Sequence, residues 1–162
     1  MKNIKQRVLA IDPGTRNIGV AFFYGHELRY YSVKTISKNK LAQEKLKDGK
    51  KIILELIRDF KPNILIVEKT FFPHNKNSTL LNTLTREIRV VGKKQGLQVT
   101  TIATNTVRKY ICKNGFASKD EVAKVLVTKY PELKPYLTSD RRWKEKFYRN
   151  MFDAVALGCT VL

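Results

Sequence analysis

The run Ile64-Leu65-Ile66-Val67 restricts the fold more than any other stretch of the chain. Four successive apolar residues, three of them β-branched, offer no polar side to water. As a strand such a run is buried on both faces. Two covered faces demand the interior of a sheet with helices above and below, and the flanking sequence supplies them. Residues 41–60 place Leu46, Ile53, Leu56, Ile57 and Phe60 at helical spacing, with Gly49 weakening the middle and Pro62 just past the end. Residues 79–95 carry Leu80, Leu81, Leu84, Ile88 and Val91 on one side, with Ser78 as a candidate N-cap and Gly96 as the stop.

Residues 7–12, 18–24 and 27–36 read as three strands joined by the turns at Asp12-Pro13-Gly14 and Gly25-His26, an antiparallel meander. After the second helix come a strand at 97–103 and a helix at 105–113. The capping box from Ser118 to Glu121 opens a helix reaching about Tyr130. Residues 131–148 read as irregular and basic, and 150–161 as an apolar closing helix. This order predicts an α/β fold. Its mixed five-stranded sheet has three antiparallel strands, then two parallel strands reached by helical crossovers, and helices flank it. At 162 residues the span 1–162 is expected to form one domain.

Charge narrows the function. There are 32 Lys and Arg against 14 Asp and Glu, a net charge of +18 spread from Lys2 to Arg149. A folded body this positive repels itself, and a polyanion relieves the repulsion, so nucleic acid is the expected partner. No stretch approaches the roughly 20 apolar residues of a membrane span, and Asp12 interrupts the first apolar run too early for a signal-peptide core. Cys112 and Cys159 form no disulfide framework. An intracellular, reduced protein with both thiols in packing roles is expected.

Eleven of the 14 acidic residues lie beside Lys or Arg or in expected caps. Three do not. Asp12 ends the first apolar strand, Glu68 ends the doubly buried strand, and Asp153 interrupts Met151-Phe152-Asp153-Ala154-Val155 in the closing helix. A carboxylate among apolar neighbours is costly unless something positive meets it. Sites in such sheets gather where strand ends converge. Three carboxylates brought together there repel one another, and divalent cations that take hard oxygen ligands, Mg²⁺ above all, resolve the repulsion. Two such ions can activate water and stabilise the leaving oxygen of a phosphodiester. The local alternative gives each acid an ordinary job. Asp12 caps a turn, Glu68 pairs with Lys69, and Asp153 pairs with Arg149 one turn earlier.

Four segments, in order, resemble one known family. VLAIDPGTRNIGVA (8–21) is similar to the opening strand–turn–strand of the RuvC Holliday junction resolvases. ILIVEKTFF (64–72) is similar to their second acidic strand, GFASKDEVAKVL (115–126) to their basic helix entry, and NMFDAVALGCTVL (150–162) to their final helix. The resemblance implies an RNase H-like fold. It further implies a metal-dependent endonuclease that cuts four-way DNA junctions by paired nicks, working as a homodimer with two Mg²⁺ ions per active site, which Mn²⁺ can replace. The sequence does not specify a further partner such as a branch-migration motor.

Carried over residue by residue, Asp12, Glu68 and Asp153 are metal ligands, with Asp12 shared between the ions. The family has a fourth ligand, Asp or His, three residues before the last acid. Here Asn150 stands there, able to lend a carbonyl oxygen but no charge. Asp140 replaces it only if the 131–148 segment folds back. Lys119 matches a lysine near the scissile phosphate and Arg108 another basic position. Arg16 follows the first acid in the Gly14 turn. Phe71 matches an aromatic used at the junction crossover and otherwise packs in the core, as Phe72 does. Arg141, Arg142, Trp143, Lys144 and Lys146 either track a DNA backbone or form a solvated segment. The helix at 79–95 corresponds to a dimerising region of the family, or is simply a core face. Two other readings stay open. One is a related nuclease of broader branched-DNA or RNA specificity, such as the YqgF group, which the first segment also resembles. The other is a non-catalytic nucleic-acid-binding homologue, for which Asn150 speaks.

Overall fold

The computed structural model describes residues 5–69, 76–137 and 142–162. Its elements follow the chain as β1 (Arg7–Asp12), β2 (Asn17–Tyr24), β3 (Glu27–Thr35), α1 (Ala42–Phe60), β4 (Ile64–Lys69), α2 (Lys76–Lys94), β5 (Gln98–Ala103), α3 (Thr104–Cys112), α4 (Lys119–Lys129), α5 (Lys134–Leu137) and α6 (Arg142–Cys159), with a single 3₁₀ turn at Pro131–Leu133. The strands form one sheet in the order β3-β2-β1-β4-β5. β1, β2 and β3 pair antiparallel, and β4 and β5 add on parallel to β1. This is the mixed five-stranded sheet that the sequence predicts.

Alternation along the strands sorts the core into two layers. Leu9 and Ile11 on β1, Ile18, Val20 and Phe22 on β2, and Leu65 and Val67 on β4 pack with α1 and α2. Val8, Ala10, Ala21, Phe23, Ile64 and Ile66 point the other way, onto α3, α4 and α6. Side chains alternate with period 2, so the residue two past Ala10 and the residue two past Ile66 share the second layer. Those residues are Asp12 and Glu68. Strand periodicity alone therefore aims both acids at the face that α6 covers.

Small residues let the layers close. A Cβ on Gly49 of α1 would stand 2.6 Å from Leu84 Cδ1 of α2, so the glycine that weakens the helix also admits its neighbour. Leu84, Ile88 and Val91 of α2 are core residues, at 2 %, 0 % and 7 % exposure, which gives those three the core role. The capping box forms as expected, with Ser118 Oγ accepting from the Glu121 N–H at 3.2 Å and Glu121 Oε2 accepting from the Ser118 N–H at 2.6 Å. Gly96 ends α2's overhang at φ +76°, and Cys159 is a buried free thiol. No helix among the described residues is long and apolar enough to cross a membrane.

Two expectations are corrected. Residues 131–148 are not irregular throughout: a 3₁₀ turn and α5 occupy 131–137, and α6 begins at Arg142 rather than 150. The apolar period of Phe147, Met151 and Val155 runs back towards the N-terminus beneath Arg142, Lys144, Lys146 and Arg149, and those charges mimic a loop. Ser78 is not the N-cap of α2, which starts two residues earlier; Ser78 is buried inside the helix at 6 % exposure.

Candidate active site

Asp12 is the last residue of β1, and the pairing of Ile11 with Val67 sets it beside Glu68 on β4. Asp12 is only 6 % exposed. Burial pushes its pKa well above the ordinary carboxylate range. A hydrogen bond with the Glu68 carboxyl and the charges of Glu68 and Asp153 push it further, while Lys119 opposes them. Glu68 Oε1 accepts from the Thr104 hydroxyl at 2.7 Å, which fixes one of its oxygens. Thr104 opens α3 directly after β5.

Asp153 arrives from α6, which lies across β2 and β1. Its Oδ2 is 2.7 Å from Lys119 Nζ, the first residue of α4. Burial raises the Asp153 pKa against the lowering influence of Lys119. Glu68 raises it further and Arg108 lowers it. A lysine in the first turn of a helix is misplaced against the helix dipole. Asp153 accounts for Lys119 being there. Asp153's cation thus comes from α4 and not from Arg149, and Glu68 has Thr104 as partner rather than Lys69.

Three acids that the sequence separates by 56 and 85 residues therefore face one another, with Lys119 and Arg108 at their edge. Asn150 sits one turn before Asp153, and its Nδ2 donates to the Asn17 carbonyl at 2.6 Å. That bond clips α6 to the start of β2 and leaves the amide oxygen as the atom able to serve a cation. Arg16 is exposed in the turn after Asp12, and its carbonyl accepts from the Ile36 N–H at 2.7 Å. Arg142 lies in the first turn of α6. Phe71, Phe72, His74, Asp140 and Arg141 fall outside the described residues. Thr104 and Asn17 carry no signal in the sequence beyond their place at element boundaries.

Among the described residues, no three His, Cys, Asp or Glu side chains close tightly enough around one point to enclose an ion. Lys119 holds Asp153 in that arrangement. The donor chemistry nevertheless fits a hard divalent cation, being all oxygen and held partly from water, with mutual repulsion that a cation relieves.

The family model of crossover junction endodeoxyribonuclease RuvC matches residues 8–140. The chain belongs to the RuvC family. The crossover junction endodeoxyribonuclease RuvC of Ralstonia pickettii is 32 % identical over 129 residues, covering 75 % of this chain and 70 % of that protein. RuvC of Beijerinckia indica is 33 % identical over 132 residues, covering 78 % and 75 %. Among solved structures, Thermus thermophilus RuvC in complex with a Holliday junction substrate superposes with a TM-score of 0.75 at 22 % identity, covering 96 % of this chain and 91 % of that one. The RuvC family match stops before α6, whereas the structural likeness spans nearly the whole chain.

The raised carboxyls have a measurable consequence. A carboxyl whose folded-state pKa exceeds its unfolded value adds stability below the unfolded pKa and loses that contribution as pH rises through the folded value. In metal-free protein Asp12 thus works against the fold at neutral pH. Asp12→Asn is expected to melt about 3–6 °C above the unsubstituted protein at pH 7.5 in chelator, with the gap closing towards pH 4. Calorimetry of the two proteins at several pH values checks this, and a gap independent of pH contradicts it.

Proposed function

We infer that the protein is a metal-dependent, structure-selective DNA endonuclease acting on four-way junctions. The observation carrying this reading is the convergence of Asp12, Glu68 and Asp153 beside Lys119 in a RuvC-family chain of net charge +18. Asp12, Glu68 and Asp153 would hold two Mg²⁺ ions, with the Asn150 amide oxygen as a neutral further donor. Bound there, such ions supply a nucleophilic hydroxide near neutral pH and neutralise charge on the phosphate.

The chain's own groups do the rest. Thr104 keeps Glu68 turned towards Asp12. Lys119, whose ammonium lies against Asp153 at the edge of the acids, would offer a positive charge to a phosphate oxygen. Arg108 stands within the field of Asp153 and Arg16 lies in the turn after Asp12; with Arg141, Arg142 and Phe71 they make up the proposed DNA-binding set. Nicks in two strands of like polarity call for two sites related by a two-fold axis, hence a homodimer on the junction.

The test is cleavage of a labelled four-way junction beside linear duplex, flap and duplex RNA, with Mg²⁺ and then Mn²⁺. Paired symmetric nicks in the junction alone are expected. Cleavage of flaps or RNA as well makes the protein a broader nuclease. Asn150, uncharged where the family carries Asp or His, favours one other reading, a homologue that binds without cutting; junction binding with no cleavage in either metal would establish it.

Binding is expected to fall steeply with salt. Each neutralised phosphate adds about −0.9 to the slope of log affinity against log salt, so six to ten contacts cost roughly 10³–10⁵ between 50 and 200 mM. Titration of a junction at several salt concentrations measures the slope, and a flat profile removes the argument from charge.

A further inference from the structure

Phe116 is 96 % exposed, against 74 % for Leu41, the next most exposed large apolar side chain among the described residues. This ring is not at the tip of slack chain. Asn114 Oδ1 accepts from the Phe116 N–H at 2.9 Å, and the Asn114 carbonyl accepts from the Ala117 N–H at 3.2 Å. Ala117, one residue on, is 1 % exposed and packs in the core layer with Val107, Val122 and Phe152. Ser118 then caps α4. An aromatic ring is thus held in water by backbone anchored on both sides.

Its place bears on function. Phe116 lies three residues before Lys119, whose ammonium meets Asp153. Chain geometry limits the separation of their Cα atoms to about 11 Å, roughly three base-pair rises of 3.4 Å. The turn leans on α3 at Lys109, since a Cβ on Gly115 would stand 3.9 Å from Lys109 Cβ. Lys109 in the last turn of α3 and Lys113 at its C-cap are both exposed. An exposed ring among cations is what an unpaired nucleobase takes, with stacking on the ring and phosphates on the lysines. Bases inside a duplex already stack on one another and offer no free face; branched DNA does at its branch point.

The geometry points to Phe116 as the stacking partner of an unstacked nucleobase next to the scissile phosphate. This rests on the junction-nuclease reading above and adds a base-contacting residue to it. The ring makes the site favour DNA that opens a base at that position over uninterrupted duplex.

The experiment compares the full chain with Phe116→Ala and Phe116→Trp. Four-way junctions carry 5-iodouracil at the nucleotides flanking the branch point, in chelator so that no strand is cut. On irradiation the unsubstituted protein is expected to crosslink, with the adduct mapping to Phe116. Phe116→Ala is expected to lose that adduct and bind the junction about 5- to 150-fold more weakly. Phe116→Trp restores both. Affinity for linear duplex and the melting temperature stay the same in all three, because the ring packs against nothing. An adduct that persists in Phe116→Ala, or an equal loss on duplex and junction, overturns the proposal. If the protein shows no preference for junctions at all, the junction reading fails separately. Crosslinking of Phe116 to an iodouracil in a single-stranded oligonucleotide then upholds the stacking role, and its absence overturns that too.

Discussion

Asp12→Asn is expected to lower junction cleavage by about a thousand-fold or more while leaving junction binding intact or tighter. A metal ion contributes several kcal/mol to phosphodiester hydrolysis, and each 1.36 kcal/mol is about tenfold in rate. Asp12 is the most buried of the three acids and feels both of the others, so its charge is the one on which a shared cation site depends most. The substitution keeps the size and shape of the side chain and removes a negative charge facing phosphate. Cleavage and affinity must therefore move apart. The same variant is expected to lose the rise in melting temperature that Mg²⁺ or Mn²⁺ gives the unsubstituted protein, since binding to the folded state alone stabilises it. Single-turnover cleavage, junction titration and melting with and without metal measure the three effects. Loss of binding together with cleavage would mean that Asp12 holds the fold or the DNA rather than a cation.

What the sequence discloses about this site follows from periodicity. Ile64-Leu65-Ile66-Val67 announces a buried strand, and a charged residue at its end has to be explained by something other than solvation. The same logic picks out Asp12, and the two-residue alternation on β1 and β4 turns both acids to one face. Asp153 stands out because its neighbours from Met151 to Leu157 are otherwise apolar. What periodicity cannot convey is which long side chain crosses between elements. Lys119 meets Asp153 across 34 residues of chain; its place in the first turn of a helix, against the dipole, marks it out, but nothing local names Asp153 as its partner. Thr104 finds Glu68 only because β5 runs parallel beside β4 and ends level with it. The early start of α6 is hidden for a different reason. Arg142, Lys144, Lys146 and Arg149 raise the polarity of a segment whose apolar spacing is already helical, so composition outweighs period where the two conflict. Asn150 illustrates both sides. Its position one turn before Asp153 is legible, while its bond to the Asn17 carbonyl depends on how closely α6 lies on β2.

That closeness makes Gly19→Ala the second large expected effect. Gly19 is on the α6 face of β2, opposite Asp12 in the antiparallel register. A Cβ placed there would overlap the backbone carbonyl of Asn150, with Asn150 Cβ at 3.0 Å. Backbone cannot rotate away as a side chain can, so relief requires α6 to lift from the sheet. Overpacking a well-filled core costs about 1–3 kcal/mol and sometimes more, and a clash against helix backbone belongs at the upper end. A loss of about 3 kcal/mol lowers the melting temperature by roughly 6–12 °C in a chain of this size. Activity is expected to fall further than stability, because the lifted helix carries both Asn150 and Asp153. Thus Gly19→Ala protein that remains folded in the cold should still show a weakened metal-induced rise in melting temperature. Gly96→Ala serves as the comparison. Gly96 has positive φ but no atom within 4 Å of its added Cβ, so its cost is backbone strain far from the carboxylates, and its metal response is expected to stay whole. Equal loss of metal response in the two variants would mean that general destabilisation, rather than the seating of α6, governs the site.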